Sequence, residues 1–440
     1  AFLSLLIWAE RDYLGFTPQF IVDRAAWFVF LPLIWLFLLL LTNLYDVQQA
    51  ASWRVTVRQI LLAAFGGSVI YLIVFFISEP GSLPRLGVLY FLIIVTVLTL
   101  SWRWIYIRVL TRSSFMQRTL IVGAGESGLT MEEVVRDSNP VPFQIVGFVD
   151  DDEAKSDISL AGSRMLGASG DLLRLVKQQD ISDIIVAING PMNGEMFQVL
   201  LDAQEQGVQI TRMPVAYEQL LGRLPIRHLE SDWILRSFVD ELQIPATYLI
   251  FKRFADIAGG ALGTLLYLVI YPLVALGILL DSGRPIMYRQ VRHGKGGAEY
   301  GLLKFRTMVR DAEQPGTAHW AQEQDPRTTR FGRFLRRAHI DEFPQFWNVL
   351  KGEMSIIGPR PERPELIQEL ELEIPFYRAR LLVKPGITGW AQVNYGKGAS
   401  IHGSAEKLEF DLYYIKHRGL LLDLWILLRT IGQVIGFRGV

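Results

Sequence analysis

The sequence predicts a protein in three parts: a membrane α-helical bundle, a doubly wound α/β domain, and a third domain that contains one more long apolar helix. Half of the residues are hydrophobic and the mean hydropathy is +0.26, as expected when part of a chain lies in lipid. A glycine-rich turn follows a short β-type run in the middle of the chain. With 440 residues, the chain is also too long for one ordinary core.

The overall composition excludes several classes of protein. Lys and Arg together number 44, and Asp and Glu also number 44, so the net charge is zero. Nucleic-acid-binding proteins usually carry a basic surplus that meets the phosphate backbone, and we therefore expect no nucleic-acid partner. Because the chain has no cysteine, it can form no disulfide, thiolate nucleophile or cysteine-ligated zinc site.

Residues 1–112 are predicted to form the helical bundle. Three uncharged stretches, 25–41, 59–78 and 86–102, approach the ~20 residues that cross a bilayer core as a helix. The apolar run 1–9 is interpreted as the end of a further, truncated helix. Arginines occupy the loop before the third helix and follow the fourth, whereas acidic residues occupy the other loops. The positive-inside rule then places the rest of the chain in the cytoplasm.

Residues 117–213 are predicted to form a Rossmann-like domain. A β-type run, Arg118–Val122, leads into Gly123-Ala-Gly125-Glu-Ser-Gly128, and glycines at this spacing permit a tight turn that brings a phosphate to a helix N-terminus. The pattern continues with strands at 143–149 and 183–188, a helix at 170–179, and a helix followed by a strand within 197–210. This motif alone is weak, so a structural role and a regulatory nucleotide site at Gly123, Gly125 and Gly128 both stay open.

Residues 214–250 are predicted to be a linker or docking segment. At its end, Tyr248 and Lys252 have the Tyr-x-x-x-Lys spacing of short-chain dehydrogenases, so a membrane-tethered NAD-dependent sugar-nucleotide enzyme is one alternative. Because an apolar run follows directly, we interpret the two residues as an interfacial tyrosine and a lysine whose charged end reaches water.

The apolar run Ile257–Leu280 is predicted not to cross the membrane. Its 24 uncharged residues would be about 36 Å long as a helix, which is enough to span a bilayer. Basic residues flank both ends, however, and Pro272 would kink the helix axis. We therefore predict a re-entrant helix over 254–281, which enters and leaves by the same leaflet, with a full span as the alternative.

The segment 336–361 concentrates carboxylates, arginines and Gly/Pro corners, including Asp341-Glu342 and Gly358-Pro-Arg-Pro361. With the blocks Lys304–Met308 (Lys-Phe-Arg-Thr-Met) and Lys384–Val393 (Lys-Pro-Gly-Ile-Thr-Gly-Trp-Ala-Gln-Val), it resembles the signature of the bacterial sugar transferases, the polyprenyl-phosphate hexose-1-phosphate transferases. The resemblance extends from about Lys252 to the C-terminus. It implies an α/β monotopic phosphoglycosyltransferase domain over 251–440 with a re-entrant helix.

The resemblance also implies roles for residues in that segment. Asp341 corresponds to the nucleophile that attacks the β-phosphorus of the nucleotide sugar, and carboxylates do serve as phosphoryl nucleophiles. Glu342, together with Asp341, corresponds to the ligands of a Mg²⁺ ion, which prefers hard oxygen ligands. Arg336 corresponds to the arginine that holds the polyprenyl phosphate. We interpret His339 as a packing residue.

Other residues are expected to bind the nucleotide sugar. Pro359, Arg360 and Pro361 form a stiff corner that belongs to the nucleotide pocket in the family, and an arginine fixed in this way suits bidentate phosphate recognition. Lys304 and Arg306 alternate along a predicted strand, and we expect them to share one face of it.

Two features nearer the C-terminus are less specific. Arg378 or Arg380 is expected to reach the pyrophosphate. The run 420–437 is mostly apolar, and its polar residues fall within one third of a helical wheel. We expect a helix that either lies in the membrane interface or packs against the catalytic core.

The resemblance implies transfer of hexose-1-phosphate from a UDP-hexose to undecaprenyl phosphate, with release of UMP, at the cytoplasmic face of a bacterial inner membrane. This would be the first membrane step of surface polysaccharide synthesis. Glucose is favoured over galactose because Trp390 and Asn394-Tyr395-Gly396 resemble the exopolysaccharide glucose enzymes. A homodimer in contact with membrane lipid is a further expectation. A non-enzymatic scaffold of the same pathway is the second alternative.

Overall fold

A computed structural model of the chain divides into two compact units, residues 1–213 and 214–440. The residues that the structure describes are 2–11, 17–18, 22, 25–42, 44, 53–77, 85–110, 116–138, 140–152, 155, 163–190, 192–229, 233, 236–240, 244–310, 312, 325–395 and 400–435.

The first unit begins with apolar helices. They are α1 (Phe2–Arg11), α2 (Ala25–Leu41), α3 (Trp53–Ile77) and α4 (Arg85–Ile105). Trp35, Ile60 and Phe91 are buried between α2, α3 and α4, whereas Phe65 and Phe76 are exposed. Within the described residues of this unit, α3 and α4 are long and apolar enough to cross a bilayer, and α2 is a shorter apolar helix. The predicted apolar helices are therefore present.

A parallel sheet forms the rest of this unit. Its strands are β1 (Arg118–Val122), β2 (Gln144–Val149), β3 (Met165–Gly167), β4 (Asp183–Val186) and β5 (Gln209–Arg212), and the helices are α5 (Glu126–Asp137), α6 (Leu172–Gln178) and α7 (Gly194–Glu205). The strand order β3-β2-β1-β4-β5 is that of a doubly wound Rossmann-like sheet, so this prediction is confirmed. Only β3 was not predicted, because three residues carry too little periodicity.

The second unit contains a long apolar helix and two small sheets. Its elements are α8 (Met213–Leu221), which begins at the boundary, α9 (Ala246–Ser282), β6 (Met287–His293), β7 (Glu299–Phe305), α10 (Arg330–Arg337), α11 (Gln345–Lys351), β8 (Ser355–Ile357), α12 (Pro364–Glu373), β9 (Gly386–Thr388), α13 (Trp390–Asn394), α14 (Ile401–His417) and α15 (Leu420–Ile435). β6 and β7 form an antiparallel hairpin, and β8 pairs with β9 in parallel. Leu370, Leu408, Tyr414 and Ile426 are buried in its main core.

Helix α9 is continuous over 37 residues and includes Pro272 without interruption. One face packs closely on α11, since a Cβ added to Gly263 would lie 2.2 Å from the Phe346 ring. On the same face, buried Asp256 accepts hydrogen bonds at 2.9 Å from the Ser355 hydroxyl and from the next backbone N–H. The outer face exposes large apolar side chains, among them Ile250, Phe254, Leu265, Val269, Leu273 and Leu280.

The N-terminal end of α9 is tied to α15 through Asp423. Its carboxylate accepts hydrogen bonds from the Tyr248 hydroxyl at 3.1 Å, the Lys252 ammonium at 2.9 Å and the Tyr414 hydroxyl at 2.9 Å. The interpretation of Tyr248 and Lys252 as an interfacial pair is therefore wrong. Tyr248 is buried, and both side chains hold α9 and α15 together.

The C-terminal end of α9 also contacts its own unit. Asp281 accepts a hydrogen bond from the backbone N–H of Phe331 at 3.1 Å. The Arg306 guanidinium donates to the Ser282 carbonyl at 2.8 Å and to the Ser282 hydroxyl at 2.9 Å. Both ends of the helix are thus fixed to elements of the second unit.

Helix α15 turns its polar side inward and part of its apolar side outward. The hydroxyls of Thr430 and Thr388 lie 2.7 Å apart, and the Gln433 amide donates to the Val393 carbonyl at 3.0 Å. Leu421 is 85% exposed. The sequence left open whether this helix lies in the membrane interface or packs against the catalytic core. Its polar residues pack against the core.

Candidate active site

Three elements converge on the carboxylate of Glu342. Its Oε1 atom accepts hydrogen bonds from Lys304 Nζ in β7 and from Arg360 Nη2 in the loop after β8, both at 2.8 Å. Burial alone would raise the pKa of Glu342, but Arg360 and Lys304 outweigh burial and lower it. The side chain is only 15% exposed, so this cation clamp keeps an ionised carboxylate in a largely buried place.

Asp341 lies beside this clamp and is 7% exposed. It makes no hydrogen bond or ion pair with any residue that the structure describes. Burial and the negative charge of Glu342 raise the pKa of Asp341, while Lys304, Arg336 and Arg360 act in the opposite direction. A carboxylate with raised proton affinity and unengaged oxygens is suited to nucleophilic attack.

A short 3₁₀ turn, Ile340–Glu342, presents both carboxylates. Helix α10 ends at Arg337, and His339 follows with φ of +54°, in the left-handed region where histidine is among the enriched non-glycine residues. His339 therefore redirects the backbone into the turn. Adjacent residues of a 3₁₀ turn point about 120° apart, so the two carboxylates do not face each other.

Arg336 is held by two threonine hydroxyls. Its Nε atom donates to Thr307 Oγ1 at 2.9 Å and its Nη1 atom to Thr328 Oγ1 at 3.2 Å. Its Nη2 atom has no hydrogen bond to a described residue. The sequence analysis missed both threonines. Thr307 lies inside the Lys304–Met308 block, which was the available signal, whereas nothing in the sequence pointed to Thr328.

The close approach of β8 and β9 sets the position of Arg360. The Gly358 N–H donates to the Thr388 carbonyl at 2.9 Å, and a Cβ on Gly358 would lie 2.3 Å from the Lys384 carbonyl oxygen. A larger residue than glycine would push these chains apart. The two flanking prolines then limit the backbone around Arg360.

Pro359 and Pro361 line a small pocket beside Arg360 that is open to solvent. Its volume of about 10 Å³ corresponds to room for about one water molecule. The remaining lining residues are His293, Glu362, Ile367, Arg380, Leu381, Val383 and Pro385.

Arg380 supports the loop after β8 that carries Arg360. It donates to the Arg360 carbonyl at 3.0 Å, to Asp411 at 2.8 Å and to the Tyr377 hydroxyl at 2.6 Å. Burial alone would lower the pKa of Arg380, but Tyr377 and Asp411 outweigh burial and raise it. In this arrangement Arg380 is a positioning residue for Arg360, and its contact with pyrophosphate stays a prediction.

The side chains of Lys304 and Arg306 do not meet at one site. The expectation that they share a strand face is wrong, because β7 ends at Phe305 and the Arg306 side chain caps the C-terminal end of α9. The two guanidinium nitrogens of Arg306 that face away from this cap, Nε and Nη1, are buried without a hydrogen-bond partner among the described residues. Its role in substrate binding stays a prediction.

The glycine-rich turn of the first unit has the geometry of its motif. Gly123 has φ of +104°, and a Cβ on Gly128 would lie 2.1 Å from the Gly123 carbonyl oxygen. Asp150, the acid at the end of β2, accepts hydrogen bonds from the Ala124 N–H at 2.7 Å and from Lys155 at 3.0 Å. That acid is thus engaged by the protein. Nucleotide binding at Gly123, Gly125 and Gly128 stays a prediction.

Trp390 and Asn394, on which the expectation of glucose rests, take part in internal packing. The Trp390 indole donates to the Gly222 carbonyl at 2.7 Å and stacks on Tyr413, and Asn394 accepts a hydrogen bond from Arg429. Gly396 lies outside the described residues. These contacts provide no information about the sugar.

The donor chemistry of the site fits magnesium only in part. Among the described residues, no group of three or more acidic, histidine or cysteine side chains could hold a metal ion. Asp341 and the Oε2 atom of Glu342 are, however, hard oxygen donors without a described partner. Magnesium commonly binds through one or two carboxylates and completes its shell with water and substrate phosphates, so these two residues fit such an ion.

Known proteins share this architecture. Residues 247–437 match the family described as bacterial sugar transferase, and residues 41–214 match the CoA-binding domain. The undecaprenyl-phosphate glucose phosphotransferase of Komagataeibacter xylinus is 30% identical over 413 residues, which cover 89% of this chain and 74% of that protein. The UDP-glucose:undecaprenyl-phosphate glucose-1-phosphate transferase of Xanthomonas campestris pv. campestris is 30% identical over 340 residues, which cover 74% and 68%.

A third relative has a different sugar in its name. The UDP-N-acetylgalactosamine-undecaprenyl-phosphate N-acetylgalactosaminephosphotransferase of Aeromonas hydrophila is 41% identical over 218 residues, and the match spans 50% of each chain. The matches with the other two relatives span a larger share of both chains. The chain belongs to the bacterial sugar transferase family, as its motifs predicted.

We expect Arg380→Met to destabilise the second unit by about 3 to 5 kcal/mol, because it leaves the Asp411 carboxylate buried and unpaired. Thermal unfolding of the full chain in detergent measures the effect. The double variant Arg380→Met/Asp411→Leu should recover part of the loss.

The matched control for this prediction is Arg378→Met, because Arg378 is 69% exposed and, among the residues that the structure describes, pairs with Glu371 alone, at 3.6 Å. We expect it to change stability by about 0.5 kcal/mol or less. Equal unfolding temperatures for Arg380→Met and Arg378→Met would contradict the supporting role of Arg380.

Proposed function

We propose that this protein transfers a hexose-1-phosphate from a UDP-hexose to undecaprenyl phosphate and releases UMP. One observation carries the proposal: the buried Asp341 carboxylate has no described partner and lies beside a second carboxylate that Lys304 and Arg360 hold in place. The names of the relatives describe transfer of sugar phosphates to the same lipid. The product would begin a surface polysaccharide.

The reaction proceeds in two displacements at one phosphorus. An oxygen of Asp341 attacks the β-phosphorus, the bond from that phosphorus to the bridging oxygen breaks, and UMP leaves with the bridging oxygen and its electron pair. The hexose phosphate is now bound to the Asp341 carboxylate as an acyl phosphate, which is a mixed anhydride. A phosphate oxygen of undecaprenyl phosphate then attacks the same phosphorus, and Asp341 regains its carboxylate. The product is a hexosyl undecaprenyl diphosphate.

The cations of the site prepare these displacements. Lys304 and Arg360 balance the charge of Glu342, which lies next to the nucleophile and would otherwise repel an incoming phosphate. Arg336 is fixed by two threonines and keeps one nitrogen unengaged, which suits the acceptor phosphate. A Mg²⁺ ion held by Asp341 and Glu342 would neutralise charge on the substrate phosphates.

We further propose that α9 enters and leaves the membrane on the cytoplasmic side. Its N-terminal end contacts Asp423 and its C-terminal end contacts Phe331 and Arg306, all within the second unit. The basic residues that flank both ends also favour the cytoplasmic leaflet for each of them. The outward apolar face of α9 then remains available to lipid.

Glucose remains the favoured sugar, with galactose next. The relatives named above include two glucose enzymes and one N-acetylgalactosamine enzyme, so the test must include all three sugars. The homodimer stays a prediction.

The reaction is tested with the purified protein in lipid nanodiscs that contain undecaprenyl phosphate and Mg²⁺, by measuring UMP release from UDP-glucose, UDP-galactose and UDP-N-acetylgalactosamine. We expect acceptor-dependent release from one sugar and a loss of about 10³-fold or more in Asp341→Asn. Without acceptor, sugar-labelled substrate should leave a covalent label on the wild type alone.

Glu371→Gln is the matched carboxylate control, because Glu371, on α12, pairs with the exposed Arg378 and with no described residue of the site. It should keep wild-type activity. Full activity of Asp341→Asn would reject the proposed nucleophile. Acceptor-dependent release without any covalent label would show direct transfer, and no release from any sugar would favour the scaffold.

The helix topology is tested with single cysteines, because the chain has none of its own. Thr247→Cys and Arg284→Cys place exposed thiols near the two ends of α9. We expect a membrane-impermeant maleimide to label both in inverted vesicles and neither in intact cells. Ser82→Cys, in a loop that the sequence predicts to face outward, should show the opposite pattern. Labelling of the two ends from opposite sides would establish a full span.

The pH dependence of the transfer rate should follow the protonation of the Asp341 carboxyl group. Lys304 lowers the pKa of this carboxyl, so Lys304→Gln raises it, and more of the nucleophile is protonated at any given acidic pH. We expect the acid limb of the single-turnover rate to move upward by about one pH unit. Arg337→Gln, an exposed neighbour of the site, should leave the limb in place. A shift to lower pH in Lys304→Gln would contradict this account.

A further inference from the structure

Three cationic side chains gather where α11 ends. Gly352 terminates this helix with φ of +86°, and a Cβ placed on it would lie 3.4 Å from both Arg253 Nη2 and Lys384 Nζ. Two positive charges therefore converge on one turn of backbone. Lys295 lies in the hairpin loop between β6 and β7, where a Cβ on the preceding Gly294 would lie 3.7 Å from the carbonyl oxygen of Glu353, the residue after Gly352. Its positive charge lowers the pKa of Lys384. We call Arg253, Lys295 and Lys384 the basic cluster.

The basic cluster lacks a compensating acid. Within the described part of the chain, none of its three members forms an ion pair. Asp256 is a carboxylate that acts on Lys384 and raises its pKa, but its Oδ1 atom already accepts hydrogen bonds from Ser355 and from the following backbone N–H. The arrangement therefore holds an excess of positive charge.

Ordinary structural roles explain only part of the excess positive charge in the basic cluster. Arg253 donates at 3.1 Å to the carbonyls of Val349 and Leu350, which are among the last of α11, and this accounts for its position. Nothing comparable accounts for Lys384. Partial burial lowers the pKa of Lys384, and the neighbouring cations Arg253 and Lys295 lower it further. A half-buried ammonium group among cations is unfavourable unless an anion joins them.

The apolar residues near Arg253 in sequence indicate which class of anion would bind the basic cluster. Phe251 and Phe254 are neighbours of Arg253 in sequence, and both expose apolar side chains at the N-terminal end of α9. A ligand that combines a phosphate with an apolar tail would satisfy both features. Basic clusters beside apolar helices are known to recognise anionic lipid headgroups.

The basic cluster lies at the other end of α11 from the two carboxylates of the candidate active site. Asp341 and Glu342 precede α11, whereas Gly352 follows it, and a seven-residue helix is about 10 Å long. Lys304 and Arg360 are engaged with Glu342, and neither belongs to the cluster. A phosphate at the cluster would therefore not contact the proposed nucleophile.

We propose that Arg253, Lys295 and Lys384 bind a phosphate group, supplied by the headgroup of an anionic phospholipid or by a free phosphate. The lipid form would anchor the start of α9 at the membrane surface. Binding at this cluster does not depend on the proposed sugar transfer.

Lys384→Gln is the test variant, because it removes one charge and no described contact. Lys384→Arg keeps the charge. Lys351→Gln is the matched control: Lys351 precedes Gly352 in sequence, but its ammonium group lies over the Trp347 ring and outside the cluster. All are prepared as the full chain in neutral detergent, and their unfolding temperatures without added anion show whether each remains folded.

Two probes separate the sources of the phosphate. Short-chain phosphatidylglycerol, with phosphatidylcholine as the neutral comparison, is titrated while bound lipid is counted by native mass spectrometry. Inorganic phosphate is titrated in parallel by thermal stabilisation. We expect Lys384→Gln to bind phosphatidylglycerol about tenfold more weakly than the wild type, with Lys384→Arg and Lys351→Gln near the wild type.

Each outcome decides the proposal. Loss of phosphatidylglycerol binding alone identifies the headgroup, and loss of inorganic phosphate binding alone identifies a free anion. Equal weakening by Lys384→Gln and Lys351→Gln would mean unspecific surface charge and overturn the proposal. Unchanged binding of both probes to Lys384→Gln would also overturn the proposal. Neither measurement uses UMP release, so an inactive protein would leave this result interpretable.

Discussion

The ion pairs of one carboxylate hold the candidate active site together. Glu342 joins β7 through Lys304 and the loop after β8 through Arg360, although these elements are far apart in sequence. Burying a carboxylate is costly unless cations compensate it. The same cations offset part of the repulsion between Glu342 and Asp341, which can then stay buried without a partner of its own. Nucleophile and clamp are thus one electrostatic unit.

Helix α9 provides the platform for this unit. Its inner face packs on α11 at Gly263, where no larger residue fits against the Phe346 ring, and both of its ends are fixed by hydrogen bonds. Its outer face is apolar, and α15 adds exposed leucines while its polar residues face the core. Both helices therefore expose apolar side chains that are suited to contact with lipid. This arrangement suits a reaction between a water-soluble and a lipid-linked substrate.

Two other buried carboxylates of the second unit are each compensated by a cation. Asp411 pairs with Arg380, and Asp423 pairs with Lys252. Each of these pairs ties an α-helix to a neighbouring element, because an unpaired partner would be strongly destabilising. Lys384 differs from this pattern, since its closest charged neighbours are mostly of its own sign. An external anion at the end of α11 would balance this charge.

The sequence by itself determined the apolar helices, the parallel strands around Gly123 and the segment that carries Asp341, because hydrophobic periodicity and turn glycines act over a few neighbouring residues. Only the tertiary structure decided where long side chains go. Arg306 caps α9 and Arg380 supports a loop, although sequence position suggested contact with substrate for both. Thr328, which holds Arg336, carried no signal at all. The direction of a flexible charged side chain depends on acceptors from distant segments, and these meet only when the chain folds.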